Sequence, residues 1–280
     1  MSTQNPDRYA VIGNPISQTK SPLIHMAFAE ESGQDLVYTA LEGPLGQFAA
    51  TVDQFRAEGG KGLNVTVPFK LDACAYATDL SEDARAAGAA NALKFEGDRI
   101  YAQNFDGVGL VRDITHNLGQ PLAGKRVLLL GAGGAARGAI LPILREGPLQ
   151  LFVVNRTVDK AQQLVQELRA NGAGPALQGG GYEALAGQRF DVVINATSAS
   201  LSAAQLPLPV SVFATDGLAY DMVYGKGLTP FLKLARQAGV RQLADGVGML
   251  VEQAAEAFAW WRGVRPETRA MIARISVPLA

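Results

Sequence analysis

The chain has 280 residues, 48% hydrophobic and 18% charged, enough for one large domain or two of ordinary size. Its 25 Lys and Arg stand against 26 Asp and Glu, a near-neutral balance that leaves no basic footprint for nucleic acid. Cys74 is the one cysteine, which excludes an internal disulfide and any multi-cysteine metal site, and fits a reducing compartment.

The first residues, Met1 to Pro6, are polar and no signal-like apolar core follows them. No run approaches the roughly 18 consecutive apolar residues of a membrane helix. The most apolar region, 127–144, is broken by four glycines, Arg137 and Pro142. These features are read as a cytoplasmic protein with no membrane partner. Along the chain, 9–12, 36–41 and 62–67 read as strands, and 23–31, 46–58, 71–76 and 81–87 as helices. A helical stretch at 110–118 links to a second series. There 127–130, 151–154, 191–195, 220–223 and 242–244 read as strands, and 135–144, 159–170, 247–262 and 266–275 as helices. The Gly-rich stretch 172–181 reads as a surface loop. Strands alternating with helices predict two α/β units with parallel sheets.

The strongest local signal is Val127-Leu128-Leu129-Leu130 followed by Gly131-Ala132-Gly133-Gly134-Ala135-Ala136. A G-x-G-x-x-A turn between strand and helix suits a dinucleotide: Gly131 for the tight turn, Gly133 for backbone approach to the pyrophosphate, Ala136 for close helix packing. The helix start offers free N–H groups to phosphate. The next strand ends at Asn155-Arg156-Thr157, with Lys160 beyond. An NAD site usually carries a carboxylate there for the ribose 2′-OH, whereas a guanidinium pairs with a 2′-phosphate. Thr157 is placed to cap the following helix. The pattern predicts NADP over NAD.

Common dehydrogenase devices are missing. No Tyr has a Lys four residues later, and the two histidines, His25 and His116, read as a structural helix residue and a surface residue. Polar clusters at strand ends remain. One runs Asn64-Val65-Thr66-Val67-Pro68-Phe69-Lys70, where strand alternation puts Asn64 and Thr66 on one face. Others are Gly88-Ala89-Ala90-Asn91, Asn104-Phe105-Asp106-Gly107, and the loop from Gly13 to Pro22 with hydroxyls at Thr19 and Ser21. Singly, each has an ordinary reading: Ser21-Pro22 as an N-cap with Pro at N1, Asp106-Gly107 as a turn, Lys70 as a solvated residue.

Taken together the clusters resemble the shikimate dehydrogenase family. The resemblance rests on Asn14-Pro15-Ile16, Lys20-Ser21-Pro22, Asn64 to Lys70, Asn91, Asn104-x-Asp106-Gly107, the Gly131 to Ala135 turn and Asn155-Arg156-Thr157. It continues through Asn195-Ala196-Thr197-Ser198, Tyr220-Asp221-Met222-Val223-Tyr224, Thr229-Pro230-Phe231 and Asp245-Gly246-x-Gly248-Met249-Leu250 with Gln253. It implies a substrate domain of 1–105 and 246–280, a Rossmann-type NADP domain of 106–245, and a cleft between them. It also implies that Lys70 and Asp106 form the catalytic pair, and that Thr19, Ser21, Asn64, Thr66, Asn91, Tyr224 and Gln253 bind shikimate. Gly131, Ala132, Gly133, Gly134, Ala135, Asn155, Arg156, Thr157, Lys160, Met222 and Gly246 then bind NADP.

The implied reaction is the reversible reduction of 3-dehydroshikimate to shikimate, a step toward chorismate and the aromatic amino acids. Two positions depart from the family: Thr19 stands where Ser is common and Phe105 where Thr is usual. They leave open a paralogue preferring quinate or another shikimate analogue. A folate-linked methylene dehydrogenase and a non-catalytic sensor of shikimate and NADP are further alternatives. The chain is expected to be a monomer or a homodimer.

Overall fold

Strand β1 (Asp7–Gly13) is buried from Tyr9 onward. In the computed structural model, which describes residues 5–201 and 205–279, it lies between two parallel neighbours, β2 (Leu36–Glu42) and β3 (Gly60–Val65). Helices α1 (Ser21–Ser32) and α2 (Phe48–Ala57) make the crossovers. After β3 come α3 (Lys70–Tyr76), a short strand β4 (Asp79–Leu80) and α4 (Glu82–Ala87). The strands β5 (Ala92–Glu96) and β6 (Arg99–Gln103) complete a six-stranded sheet of order β2-β1-β3-β5-β6-β4.

This sheet is mixed, not parallel as expected. β5 runs antiparallel to β3, with Ala92 opposite Asn64, and β6 antiparallel to β5. The chain re-enters the sheet beside the end at which β3 leaves it, so β5 can only run backwards. Gly97, at φ +59°, then turns the hairpin. Phe69, 1% exposed, packs in a core with Ile12, Leu63 and Val65. Burying that ring contributes about 2–3 kcal/mol and fixes the backbone one residue before Lys70.

Helix α5 (Asp106–Arg112) continues into a wider π-type turn, Asp113–Asn117. The second sheet follows: β7 (Arg126–Leu130), α6 (Gly134–Arg145), β8 (Gln150–Val154), α7 (Val158–Ala170), β9 (Leu177–Gly180), β10 (Phe190–Asn195), β11 (Phe213–Asp221), α8 (Pro230–Gln237) and β12 (Gln242–Asp245). All six strands are parallel, in the order β12-β11-β10-β7-β8-β9. That is the dinucleotide-binding winding, with its switch point between β7 and β10, where ligands bind at the carboxyl ends of the strands. The expected 172–181 loop contains β9. Its glycines are packing devices: a Cβ on Gly179 would lie 2.8 Å from Val165 Cγ2 and 3.0 Å from the Ala161 carbonyl, so only glycine lets the strand lie this close to α7. β11 also begins earlier than the expected 220–223 strand and ends at Asp221.

Helices α9 (Val247–Arg262) and α10 (Arg269–Ile275) close the chain. By internal contacts the first unit holds the residues through Gly109 together with Val251–Met271, and the second holds Leu110–Leu250 and the residues from Ile272 on. In the first unit Trp261 donates its indole N–H to the Leu93 carbonyl at 3.0 Å. Among the described residues no helix is long and apolar enough to cross a membrane, and no group of three or more His, Cys, Asp or Glu could hold a metal ion.

Candidate active site

Lys70 is the first residue of α3 and Asp106 the first of α5. Their side chains meet: Lys70 Nζ donates to Asp106 Oδ2 at 2.6 Å. The pair is partly open, with side-chain exposures of 31% and 19%, so both groups can reach a ligand and exchange protons with water. The other carboxylate oxygen, Oδ1, accepts from Asn91 Nδ2 at 2.9 Å. Asn91 is itself fixed, because its Oδ1 accepts from the Phe105 amide at 2.8 Å and its Nδ2 also reaches Gln253 Oε1 at 3.2 Å. Asn104, whose Oδ1 accepts from the Asp106 amide at 3.1 Å, ties this loop to the Ala89 carbonyl at 3.0 Å. Lys70, Asp106, Asn91 and Gln253 therefore form one hydrogen-bonded group.

Asn64, 5% exposed near the end of β3, joins it by donating Nδ2 to the Asn91 carbonyl at 3.3 Å. Thr66 does not share that strand as expected, since β3 stops at Val65 and Thr66 already belongs to the following turn. It remains close to the β1 end, where a Cβ on Gly13 would lie 2.6 Å from Thr66 Cγ2. Thr19 Oγ1 donates to Ser21 Oγ at 3.2 Å and accepts from the Ser21 amide at 3.3 Å. Ser21 is not the N-cap: the helix starts one residue earlier, with Lys20 at the cap position and Ser21 as its first residue. Tyr224 belongs to the second unit and is exposed after β11. The Phe105 ring is 9% exposed and packs edge-on against Trp260 at 5.8 Å, so it is turned into the protein.

The sequence reading missed Tyr38. It is buried on β2, and its hydroxyl donates to Asn64 Oδ1 at 2.6 Å. Burial pushes this phenol well above its ordinary pKa, and the Ser21 hydroxyl beside it offsets that only in part. Alternation along β2 marks Tyr38 as inward-facing, but nothing in the sequence pairs it with a residue 26 positions away.

In the second unit Gly131 follows β7 at φ +107°, and a Cβ there would lie 3.1 Å from Thr197 Cγ2 and 3.4 Å from the Ala196 carbonyl. Both the conformation and the close approach of the β10 loop demand glycine. Ala132 is half-buried, and Gly133, Gly134 and Ala135 are exposed at the start of α6. A Cβ on Gly133 or Gly134 meets nothing within 4 Å. The start of this helix is therefore uncovered, which leaves room for a pyrophosphate.

At the end of β8 the Asn155 side chain donates to the Thr157 carbonyl at 2.9 Å. Thr157 holds the N-cap position of α7, though without the expected side-chain cap bond. Arg156 and Lys160 are exposed and make no ion pair among the described residues. Two uncommitted cations beside a helix start fit a 2′-phosphate. Burial raises the Tyr182 phenol above its usual pKa, while the Arg156 charge works against that rise.

Met222 follows β11, its amide bound to the Asn195 carbonyl at 2.9 Å. A Cβ on Gly246 would lie 2.2 Å from the Met222 carbonyl oxygen, so only glycine fits there. Asp221, fully buried, holds these loop ends together. It accepts from Ser200 and Thr229 hydroxyls at 2.6 Å each, from Asn195 Nδ2 at 3.1 Å and from the Val223 amide at 3.2 Å. Desolvation raises its pKa, and the four donors counter the rise.

Comparison with known proteins identifies the family. Residues 11–93 match the shikimate dehydrogenase substrate binding domain, 113–205 the shikimate / quinate 5-dehydrogenase family, and 246–275 the shikimate 5'-dehydrogenase C-terminal domain. The shikimate dehydrogenase (NADP(+)) of Dechloromonas aromatica (strain RCB) is 56% identical over 98% of both chains. Among solved structures, an Ael1 enzyme from Pseudomonas putida is 61% identical, with a TM-score of 0.94, over 98% of this chain and 100% of that one. Shikimate 5-dehydrogenase from Thermus thermophilus, in complex with NADP(H) and shikimate, is 30% identical with a TM-score of 0.84 over 95% of this chain and 97% of that one. At these identities and coverages, the chain belongs to the shikimate dehydrogenase family.

Proposed function

We infer that this protein catalyses the reversible, NADP-dependent reduction of 3-dehydroshikimate to shikimate, with Lys70 and Asp106 as its acid/base pair. The observation that carries the reading is the 2.6 Å Lys70–Asp106 contact, braced by Asn91 and partly open to solvent. The first unit is the substrate unit and the second the NADP unit. The turn from Gly131 to Ala135 holds the pyrophosphate, Asn155, Arg156, Thr157 and Lys160 the adenosine end, and Met222 and Gly246 the nicotinamide end. NADPH, when bound, supplies the hydride that reduces the ring carbonyl carbon.

Reduction leaves an oxygen that needs a proton. The Lys70 ammonium polarises that oxygen and donates the proton, then recovers one from water. In the reverse direction neutral Lys70 accepts the hydroxyl proton. Asp106 holds the ammonium in place and takes a hydrogen bond from a substrate hydroxyl. Asn64, Asn91, Gln253, Thr19, Ser21, Thr66 and Tyr224 present amides and hydroxyls to the polyol and its carboxylate. A site built for hydroxyls rejects analogues that lack them. The protein acts in the cytoplasm as a monomer or homodimer, which cell fractionation and sedimentation test.

The decisive experiment is an NADPH absorbance assay of the purified protein with shikimate and with quinate, each with NADP and with NAD. Shikimate with NADP is expected to give the highest kcat/KM. Absence of turnover on both alcohols refutes the reading, and turnover of quinate alone moves it to the paralogue that Phe105 and Thr19 left open.

A further inference from the structure

The polar groups of the first unit form a nearly continuous chain. Thr19 donates to Ser21, the Ser21 hydroxyl lies beside Tyr38, Tyr38 donates to Asn64, Asn64 to the Asn91 carbonyl, and Asn91 and Lys70 both to Asp106. Tyr38 is the link between the Thr19–Ser21 end and the Lys70–Asp106 end. Its hydroxyl donates to the Asn64 amide oxygen at 2.6 Å while the Asn64 nitrogen donates to the Asn91 carbonyl at 3.3 Å, so the phenol holds the oxygen end of the amide. The amide orientation of Asn64 therefore depends on where Tyr38 holds its ring.

His25 sits behind that ring. The imidazole of α1 lies parallel to the Tyr38 phenol, with centroids 4.2 Å apart and planes 3° apart. It is 1% exposed and enclosed on other sides by Phe28, Phe258 and Trp261 at centroid distances of 6.1, 6.2 and 5.5 Å. Neither ring nitrogen has a hydrogen-bond partner. Burial lowers its pKa to about 3, and the Asn64 side chain beside it offsets only part of that fall. The ring is neutral at any working pH. An unpaired buried N–H is unfavourable, and a phenylalanine in this aromatic cage would avoid it.

We propose that His25 is a positioning residue for the reaction: its flat ring holds Tyr38 against Asn64 and so sets the Asn64 amide in the substrate site. The proposal rests on the reading that Asn64 and its partners bind shikimate. It predicts an effect on the alcohol substrate alone, since every linked group lies in the first unit.

The test is steady-state kinetics on wild type, His25→Ala, His25→Leu, His25→Phe, Tyr38→Phe and the His25→Leu/Tyr38→Phe double variant. Wild-type turnover of shikimate tests the reading beneath the proposal, and only ratios to wild type bear on His25. Losing the direction of one neutral hydrogen bond corresponds to roughly three- to tenfold in KM. His25→Ala and His25→Leu are expected to raise the shikimate KM by that factor, with kcat changed by less than about twofold and the NADP KM unmoved. His25→Phe, which keeps a flat ring, restores the shikimate KM to within about threefold of wild type. Tyr38→Phe reproduces the rise, and the double variant adds nothing to it, because both changes cut the same link. His25→Leu fills the cage and keeps the test valid if His25→Ala does not fold. A wild-type shikimate KM in folded His25→Leu, or factors that multiply in the double variant, overturns the proposal.

Discussion

Acid should destabilise the first unit through His25, and the size of the effect follows from its burial. The imidazole is fully enclosed and its pKa is lowered from 6.5 to about 3 by desolvation. In the unfolded chain it returns to its ordinary value near 6.5. Between these values the unfolded state binds a proton that the folded state does not, so stability falls as pH falls. The contribution is fully present above pH ~6.5 and is lost progressively down to about pH 3. Between pH 7 and pH 5 the loss from this one group is about 2 kcal/mol, at 1.36 kcal/mol per unit of unfolded-state titration. Asp221 and Asp245 have raised pKa values and act in the opposite sense. The informative quantity is therefore the difference between wild type and His25→Phe, in which those carboxylates cancel. Urea unfolding at pH 7 and pH 5, followed by tryptophan fluorescence, should show wild type losing about 2 kcal/mol more than the variant. At pH 7 the variant should be at least as stable as wild type, since it removes an unpaired buried N–H. Parallel pH dependence in the two proteins refutes the buried, neutral imidazole.

Three further outcomes follow from the sites. Lys70→Ala removes the proton donor and should lower kcat by about 10²- to 10⁴-fold, while NADP affinity, measured by fluorescence titration, stays within about twofold of wild type. Arg156→Ala removes an uncommitted cation and should weaken NADP binding about ten- to a hundredfold, the equivalent of roughly 1.5–3 kcal/mol for a charged hydrogen bond, with NAD kinetics little changed; titration calorimetry with both cofactors decides it. Asp221→Ala strands the Asn195, Ser200 and Thr229 donors in the second unit and should cost several kcal/mol, at about 1–3 kcal/mol for a buried donor left unpaired. Scanning calorimetry should show this as a fall on the order of 10 °C in the melting of that unit, and an unchanged melting temperature refutes the hub.

The two units differ in how far their sequence reveals them. The nucleotide unit is written locally: a strand, a turn at Gly131 and a helix are contiguous, and each residue's task depends on its immediate neighbours. Its parallel order is a consequence of that repeated strand–helix pattern. Even there β9 reads as loop, because a glycine such as Gly179 signals flexibility in sequence, whereas its missing side chain is what lets the strand lie against α7. The substrate unit is written at long range. Lys70 and Asp106 are 36 residues apart, Asn91 and Gln253 are 162 apart, and the folding of this unit depends on β5 turning back beside β3. No periodicity announces an antiparallel return. Resemblance to a family supplies those site residues, where pattern alone leaves each with an ordinary alternative.

The same contrast explains why Tyr38 escapes notice and His25 reads as merely structural. Each looks like core: one faces inward on a strand, the other lies on the buried face of a helix, and both are buried. Core and site are continuous in this unit. The proposed catalytic pair is held by Asn91, Asn91 and Asn64 are joined through the backbone, and Asn64 bonds a phenol that stacks on the His25 ring of an aromatic cage. A substrate that offers several hydroxyls needs several amides fixed at once, and an amide can be fixed only if something rigid saturates its remaining donors and acceptors. That rigidity comes from packed rings. Substitutions within the cage, far from Lys70 in sequence, should therefore act on substrate affinity before they act on chemistry.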